Sequence, residues 1–220
     1  MKQIPLPIAA DAVHSFDSFL PGDNAMALQQ LRDVGPGSAP LYLWGPQGCG
    51  KTHLLKAMAL ERRGLGGTLG WFAPSDITPW AFDESWSLLV LDDCEGLSAV
   101  QQQAAFALFV EATTHCVPVA AAGHMPPVDL PLRDDLRSRL GWGHVFALQV
   151  LSEPERRAVL RQEADARGIF LSDEVMAFML NRFSRDLGSL MQLLDNLDQY
   201  ALQTQRAITI PLIKLMLESE

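Results

Sequence analysis

The feature that most constrains this chain is the segment GPQGCGKT at residues 45–52, which follows an apolar run, LYLW, and precedes a helix-like segment, HLLKAMAL. Its spacing is G-x-x-x-x-G-K-[ST], which is typical of a buried strand that turns through a glycine-rich loop into a helix. Backbone N–H groups of such a loop point inward at a helix N-terminus and bind an anion. The alternative is an ordinary glycine-rich turn between a strand and a helix. The motif predicts a phosphate-binding loop formed by Gly45, Pro46, Gln47, Gly48, Cys49, Gly50, Lys51 and Thr52.

A second motif supplies acidic groups. The apolar run LLVL is followed directly by Asp92 and Asp93. Ligands of open α/β sheets bind at the carboxyl ends of the strands, so we expect both carboxylates to lie near the phosphate loop. Asp92 and the Thr52 hydroxyl would then hold Mg²⁺, Lys51 would neutralise phosphate oxygens, and Asp93 could orient an attacking water. Acids in an ordinary loop are the alternative.

The order of apolar runs predicts the fold class. Five short runs alternate with helix-length segments, such as those at roughly 50–63 and 98–115. Runs that are apolar on both faces are typical of strands buried in a parallel sheet with helices on both sides. The sequence therefore predicts an α/β domain with a five-stranded parallel sheet that ends near residue 150, its strands at residues 41–44, 68–73, 87–91, 117–122 and 144–148.

Beyond this point the pattern is helical only. SEPE at residues 152–155 has the form of a capping box with proline in the first turn, and Gly168 would end that helix. Ser172 can cap a second helix, and a short last helix is expected after Pro211. A third carries one apolar stripe at Leu187, Leu190, Met191, Leu194, Leu197 and Ala201. We therefore expect three parts: an arm at 1–24, the α/β domain at 25–150 and a helical lid at 151–220.

Charge and composition exclude several classes of protein. A formal net charge of −9, from 17 basic and 26 acidic side chains, argues against a surface that neutralises many phosphates of a nucleic acid. Three cysteines without C-x-x-C spacing indicate neither a disulfide framework nor a zinc site, and thiols of this kind are typical of the cytoplasm. No apolar stretch is long enough to predict a membrane span.

Several segments in order resemble one known family. They are QIPLPI at 3–8, FDSFLPGDN at 16–24, GPQGCGKT, LLVLDD, RSRLGWG at 137–143 and FSRDLGSL at 183–190. Together they resemble the Hda family of DnaA-related AAA+ proteins, and the resemblance covers nearly the whole chain. It implies an AAA+ P-loop domain followed by a small all-helical lid, with ADP or ATP and Mg²⁺ as cofactors.

The resemblance also implies roles for individual residues. Arg139 matches an arginine finger that reaches a nucleotide on a neighbouring subunit, and an ion pair with Asp134 or Asp135 is the alternative. Arg185 matches the lid arginine called sensor 2, with a solvated surface arginine as the alternative. The adenine pocket would be bordered by Phe19, Leu20, Gly22 and Asn24, although an N-terminal segment that only packs on the core is equally compatible.

The arm is similar to peptides that dock on the bacterial sliding clamp, the DNA polymerase III beta subunit, through Gln3, Leu6 and Ile8. Pro5 and Pro7 would hold it extended and so reduce the entropy lost on docking. A loose proline-rich terminus is the alternative.

By this resemblance the chain would act with the DNA-loaded clamp to stimulate hydrolysis of DnaA-bound ATP, which limits replication initiation. No membrane and no sequence-specific DNA are expected as partners, and a homo-oligomer is left open. An autonomous AAA+ ATPase, such as a helicase loader, is the alternative function. The chain departs from the family at His124, where an acidic or other polar sensor 1 residue is usual, and Asp93 stands where many AAA+ ATPases have Glu.

Overall fold

The computed structural model describes residues 14–182, 187–204 and 206–218. The residues expected to dock on a clamp, Gln3, Leu6 and Ile8, lie outside these ranges, as does Arg185. The chain divides into two compact units, Met1–Gln149 and Val150–Glu220, and each is described by itself.

The first unit contains a five-stranded sheet in the order β2-β3-β4-β1-β5. Each neighbouring pair of strands is parallel, as the both-face apolar runs predict. Pro118 cannot donate to a ladder, and the fourth strand starts after it rather than at residue 117. The strands are β1 (Leu41–Trp44), β2 (Thr68–Phe72), β3 (Trp86–Leu91), β4 (Val119–Gly123) and β5 (His144–Ala147).

Helices cover both faces of this sheet. They are α1 (Ala25–Arg32), α2 (Lys51–Gly64), α3 (Ala99–Thr114) and α4 (Asp134–Leu140). Leu88 and Val90 pack in the cluster that includes α1 and α2, whereas Leu89 and Leu91 pack in the cluster that includes α3 and α4. Successive residues of a strand point to opposite faces, so residues 88–91 of β3 are all apolar because both faces of the strand are buried there.

The parallel sheet has two functionally different edges. The segments after β1, β3 and β4 meet at its carboxyl edge, and these segments carry the glycine-rich loop, Asp92 and His124. The chain between α4 and β5 lies at the amino edge, where the His144 N–H donates to the carbonyl oxygen of Pro40, 2.8 Å away. Arg139, in the last turn of α4, is therefore placed near the edge opposite to the loop.

The second unit is helical in its described residues. Its helices are α5 (Glu153–Ala166), α6 (Asp173–Arg182), α7 (Leu187–Thr204) and α8 (Ile210–Glu218). The predicted capping box forms at Ser152, and the Ser172 hydroxyl accepts a hydrogen bond from the Val175 N–H, 3.3 Å away. The last helix begins one residue before Pro211 instead of after it, because a proline in the first turn lacks only an N–H that has no helical partner.

A helix long and apolar enough to cross a bilayer does not occur in residues 14–182, 187–204 or 206–218.

The close approach of Gly143 to the backbone gives a test of the amino edge. A Cβ at Gly143 would lie 1.9 Å from the Pro40 carbonyl oxygen, whereas at Gly141 the nearest atom would be 3.5 Å away. Gly143→Ala should therefore lower the free energy of unfolding by about 1 to 3 kcal/mol, the range for overpacking. Gly141→Ala should change it by no more than about 0.5 kcal/mol.

Urea unfolding followed by tryptophan fluorescence measures this difference, because all five tryptophans precede residue 150 and report on the first unit alone. Equal stabilities of the two variants would contradict the close packing at Gly143.

Candidate nucleotide site

The glycine-rich loop leads directly into α2, whose first residue is Lys51. Gly50 has a φ of 97°, in the left-handed region that favours glycine. A Cβ at this position would also lie 2.6 Å from Cε2 of Phe19. The loop therefore needs glycine here for both its backbone conformation and its contact with Phe19.

Lys51 carries a buried positive charge inside the loop. The residue is 6% exposed, and its Nζ donates to the carbonyl oxygens of Gly45 and Pro46 at 2.9 and 3.1 Å. Among the described residues, no carboxylate oxygen lies within 4.0 Å of this ammonium. Neutral carbonyls leave a buried charge uncompensated, which favours an anion at the loop. The residues present therefore fit a phosphate group.

Asp92 supplies a buried carboxylate to the same edge. It is 5% exposed, and the Thr52 hydroxyl donates to its Oδ2 at 2.9 Å. Burial raises the pKa of Asp92; the hydrogen bond from Thr52 opposes this effect, and the neighbouring Asp93 adds to it. A divalent cation would offset the unfavourable burial of this charge, and a hydroxyl with a carboxylate is a donor pair suited to Mg²⁺.

Asp93 and His124 come together with a residue that the sequence did not single out, Glu95. Single ligand atoms of the three side chains all lie within 4.8 Å of one another. The His124 Nδ1 contacts Glu95 Oε1, and the His124 N–H donates to Glu95 Oε2 at 3.2 Å. Asp93 is exposed and has a φ of 50°. The only sequence signal for Glu95 was its place shortly after the acidic strand end, and the contact with His124 depends on the adjacency of β3 and β4.

The entry segment packs over the start of α2 through His53, another residue that the sequence reasoning missed. The Nε2 of His53 lies 3.0 Å from the Ser15 carbonyl oxygen, and its ring lies 5.6 Å from that of Phe19. His14 stands beside it at 5.2 Å between ring centroids. Burial, followed by the charges of Lys56 and His53, lowers the pKa of His14. Histidine at the third position of α2 therefore fixes the segment that brings Phe19 to the loop.

The other expected adenine-side residues differ in their surroundings. Asn24 is buried, and its side-chain amide both donates to and accepts from the backbone of Gln149, at 2.9 and 2.7 Å. These bonds fasten the entry segment to the chain just after β5. Leu20 and Gly22 are half-buried in the same segment. Phe19 thus contacts the loop directly, while Asn24 uses its polar atoms to hold the segment in place.

Arg139 forms a different contact from the ion pair considered as the alternative. Asp134 pairs with Arg137, and Asp135 pairs with Arg133. The Arg139 Cζ instead lies 5.3 Å from the centroid of the Trp142 ring. Within the described part of the chain, no carboxylate lies within 4.0 Å of Arg139. The ion-pair alternative is wrong because neighbouring arginines engage both aspartates.

Lys51 and Lys56 lie on the same helix and provide a matched test of the loop. Lys51→Ala removes the buried ammonium, and hydrogen bonds to charged groups contribute about 1.5 to 3 kcal/mol, so ADP affinity should fall about 10- to 150-fold. Lys56→Ala, at an exposed position, should leave the affinity within about twofold. Titration calorimetry measures both. Unchanged affinity in a folded Lys51→Ala protein would remove the loop from nucleotide binding.

Two family models match different parts of the chain. One describes the bacterial DnaA ATPase domain and matches residues 10–65, which include the glycine-rich loop. The other describes the lid domain of Hda and matches residues 153–217, which make up most of the second unit.

Solved structures share the fold at low sequence identity. Domain III of the replication initiation protein DnaA from Thermotoga maritima is 21% identical with a TM-score of 0.77, and the match covers 98% of each chain. AMPPCP-bound DnaA from Aquifex aeolicus is 19% identical with a TM-score of 0.68, covering 86% of this chain and 72% of that one. The RuvB Holliday junction branch migration motor of Thermotoga maritima is 16% identical with a TM-score of 0.66, covering 94% and 72%.

The parallel sheet order and these structures agree on the fold predicted from the sequence, an AAA+ domain followed by a helical lid. With a DnaA ATPase model matching near its start and an Hda model matching its lid, the chain is similar to DnaA-related AAA+ proteins and, in its lid, to Hda.

Proposed function

We propose that the chain is a nucleotide-binding AAA+ regulator that acts with the DNA-loaded sliding clamp. In this function it stimulates hydrolysis of ATP bound to DnaA and so limits replication initiation. The match to the Hda lid model supports a role of this kind, and the match to the DnaA ATPase model supports assembly with a DnaA-type partner.

The observation that carries this proposal is the position of Arg139 relative to the chain's own loop. The loop follows the carboxyl end of β1, whereas Arg139 lies near the amino edge of the same sheet. At about 3.3 Å per residue, the four-residue strand alone separates these edges by about 13 Å. Arg139 has no carboxylate partner among the described residues. A guanidinium on the far edge that forms no ion pair with the described residues is suited to a nucleotide held by a neighbouring molecule.

The chain's own site would hold ADP or ATP. Lys51 and the loop amides would bind the phosphates, and Thr52 with Asp92 would hold Mg²⁺. The match of Arg185 to the sensor 2 arginine would give it a part in nucleotide binding, and Phe19 would border the base. Asp93 would orient water in any hydrolysis that this site performs itself, which we expect to be slow because His124 is engaged by Glu95.

The arm at residues 1–8 would tether the regulator to the clamp through Gln3, Leu6 and Ile8. Alternate apolar side chains of an extended peptide fit a groove, and prolines limit the entropy that the peptide loses on docking. Tethering would raise the local concentration of Arg139 near DnaA at replicating DNA.

The alternative function, an autonomous ATPase, draws support from the cluster of Asp93, Glu95 and His124 at the same edge of the sheet as the phosphate loop. Carboxylates at this edge can position a water for attack on a phosphate. Such an enzyme would turn over ATP without DnaA or the clamp, so the experiment below separates the two functions.

The decisive measurement is hydrolysis of labelled ATP preloaded on DnaA. We expect stimulation only when this protein and DNA-loaded clamp are both present. Arginine fingers contribute about 10³ to 10⁵ in rate, so Arg139→Ala should return hydrolysis to the unstimulated level. Arg139→Lys should recover little, because an ammonium lacks the planar fork. Arg137→Ala, which disrupts an exposed pair on the same helix, should retain stimulation.

Nucleotide binding and clamp binding by Arg139→Ala serve as controls and should both persist. Full stimulation by a folded Arg139→Ala protein would contradict the regulatory function. Rapid ATP turnover by this chain alone would favour the autonomous ATPase.

Deletion of residues 1–8 should abolish co-elution with the clamp while leaving ADP affinity within about twofold, because this segment precedes the part of the chain that forms the loop. A Gln3→Ala, Leu6→Ala double variant is the matched full-length control and should lose clamp binding as well. Continued co-elution of the truncated protein would show that the arm does not tether the chain to the clamp.

A further inference from the structure

Trp142 stands beside the arginine finger candidate at the amino edge of the first unit. Its side chain is largely in solvent, with 64% of the residue exposed. The Cζ of Arg139 lies 5.3 Å from the centroid of its ring, within the range of a cation–π contact. The indole is therefore the described partner of a guanidinium that makes no ion pair with the described residues.

The backbone that carries both side chains is fixed on either side. Leu136 and Leu140 of α4 are buried and set the rotation of the helix, and Arg139, on the flank of this buried face, is half-buried. The Trp142 N–H donates to the Arg139 carbonyl oxygen at 3.2 Å. One residue later, Gly143 packs against the Pro40 backbone. The backbone positions that carry the arginine and the indole are therefore both held in place.

The type of partner determines which N–H groups of the Arg139 guanidinium remain available for a ligand. A carboxylate occupies the N–H groups at the edge of a guanidinium, as in the pairs that Arg133 and Arg137 form. An aromatic ring contacts the flat face and leaves the N–H groups in the plane free for phosphate oxygens. The stack therefore restrains Arg139 without consuming the groups that would stabilise a transition state.

We propose that Trp142 is a positioning residue for Arg139, holding its guanidinium extended and ready to enter a neighbouring nucleotide site. This inference rests on the proposed function, in which Arg139 acts on ATP bound to a partner. An arginine that is already ordered loses less side-chain entropy when it reaches the phosphates, so the contact acts on the rate of the hydrolytic step.

The test compares Trp142 variants in the DnaA–ATP assay with DNA-loaded clamp, titrating this protein to saturation. Trp142→Ala should lower the maximal stimulated rate about two- to fivefold, the size of an exposed cation–π contact, without changing the half-saturating concentration. Trp142→Phe, which keeps an aromatic face, should retain most of the wild-type maximal rate. Trp142→Leu, which keeps bulk without a π face, should not. Thermal unfolding confirms that each variant is folded.

A second measurement does not depend on activity. Arg139→Ala should change the tryptophan emission of the wild-type chain, and it should change nothing in a Trp142→Phe background, where the other four tryptophans remain. Arg137→Ala, which removes a cation paired with Asp134 on the same helix, should leave the emission unaltered in both backgrounds.

The outcomes separate the inference from the function on which it rests. If Arg139→Ala still stimulates DnaA, the proposed function fails. If Arg139→Ala abolishes stimulation while Trp142→Ala keeps the full maximal rate, or raises only the half-saturating concentration, Trp142 does not position the finger. An emission that Arg139→Ala leaves unchanged in the wild-type background would likewise overturn the stack.

Discussion

The hydrogen bond from the Thr52 hydroxyl to Asp92 joins the phosphate loop, which follows β1, to the acidic end of β3. These two strands are not neighbours in the sheet. The hydrogen bond brings the second residue of α2 to the end of β3, with β4 lying between β3 and β1. The bond requires a buried carboxylate, and burial raises the pKa of Asp92. A folded-state pKa above the ordinary value means that this group's contribution to stability is lost as the pH rises through the folded-state pKa. At neutral pH the ionised site thus lowers stability, and a bound cation would offset that loss.

The two halves of the candidate site carry buried charges of opposite sign. Lys51 is a buried cation that contacts neutral carbonyls, and Asp92 is a buried anion that accepts hydrogen bonds from the Thr52 hydroxyl and the Asp93 backbone N–H. The two charges do not pair within 4.0 Å in the described structure, although an ion pair would relieve both. Keeping them apart leaves each able to bind a ligand charge of opposite sign, which suits a phosphate bound together with a divalent cation.

The sequence predicted what depends on local pattern and missed what depends on distant contacts. Leu88 to Leu91 read as a buried parallel strand because the residues alternate between two apolar cores, and the glycine-rich loop follows from its spacing. The pairing of Asn24 with Gln149 joins positions 125 residues apart, and no spacing rule could supply it. The contact between Glu95 and His124 likewise needs the strand order. The alternative of an ion pair at Arg139 failed for another reason: Asp135, four residues before it on α4, has a second suitable arginine, Arg133, and pairs with that one instead.

The contact at the amino edge leaves the N–H groups of the Arg139 guanidinium without an ion pair among the described residues. An exposed ion pair at Arg139 would contribute at most about 1 kcal/mol, so losing it has little effect on the fold. A stack on Trp142 contributes a similar amount, about 0.5 to 1 kcal/mol. The two contacts therefore differ little in their contribution to stability. They differ in the availability of the guanidinium N–H groups, which only the contact with the indole leaves unoccupied. In the proposed role lysine would not replace this arginine, because an ammonium over an indole has no planar fork of donors to present to a phosphate.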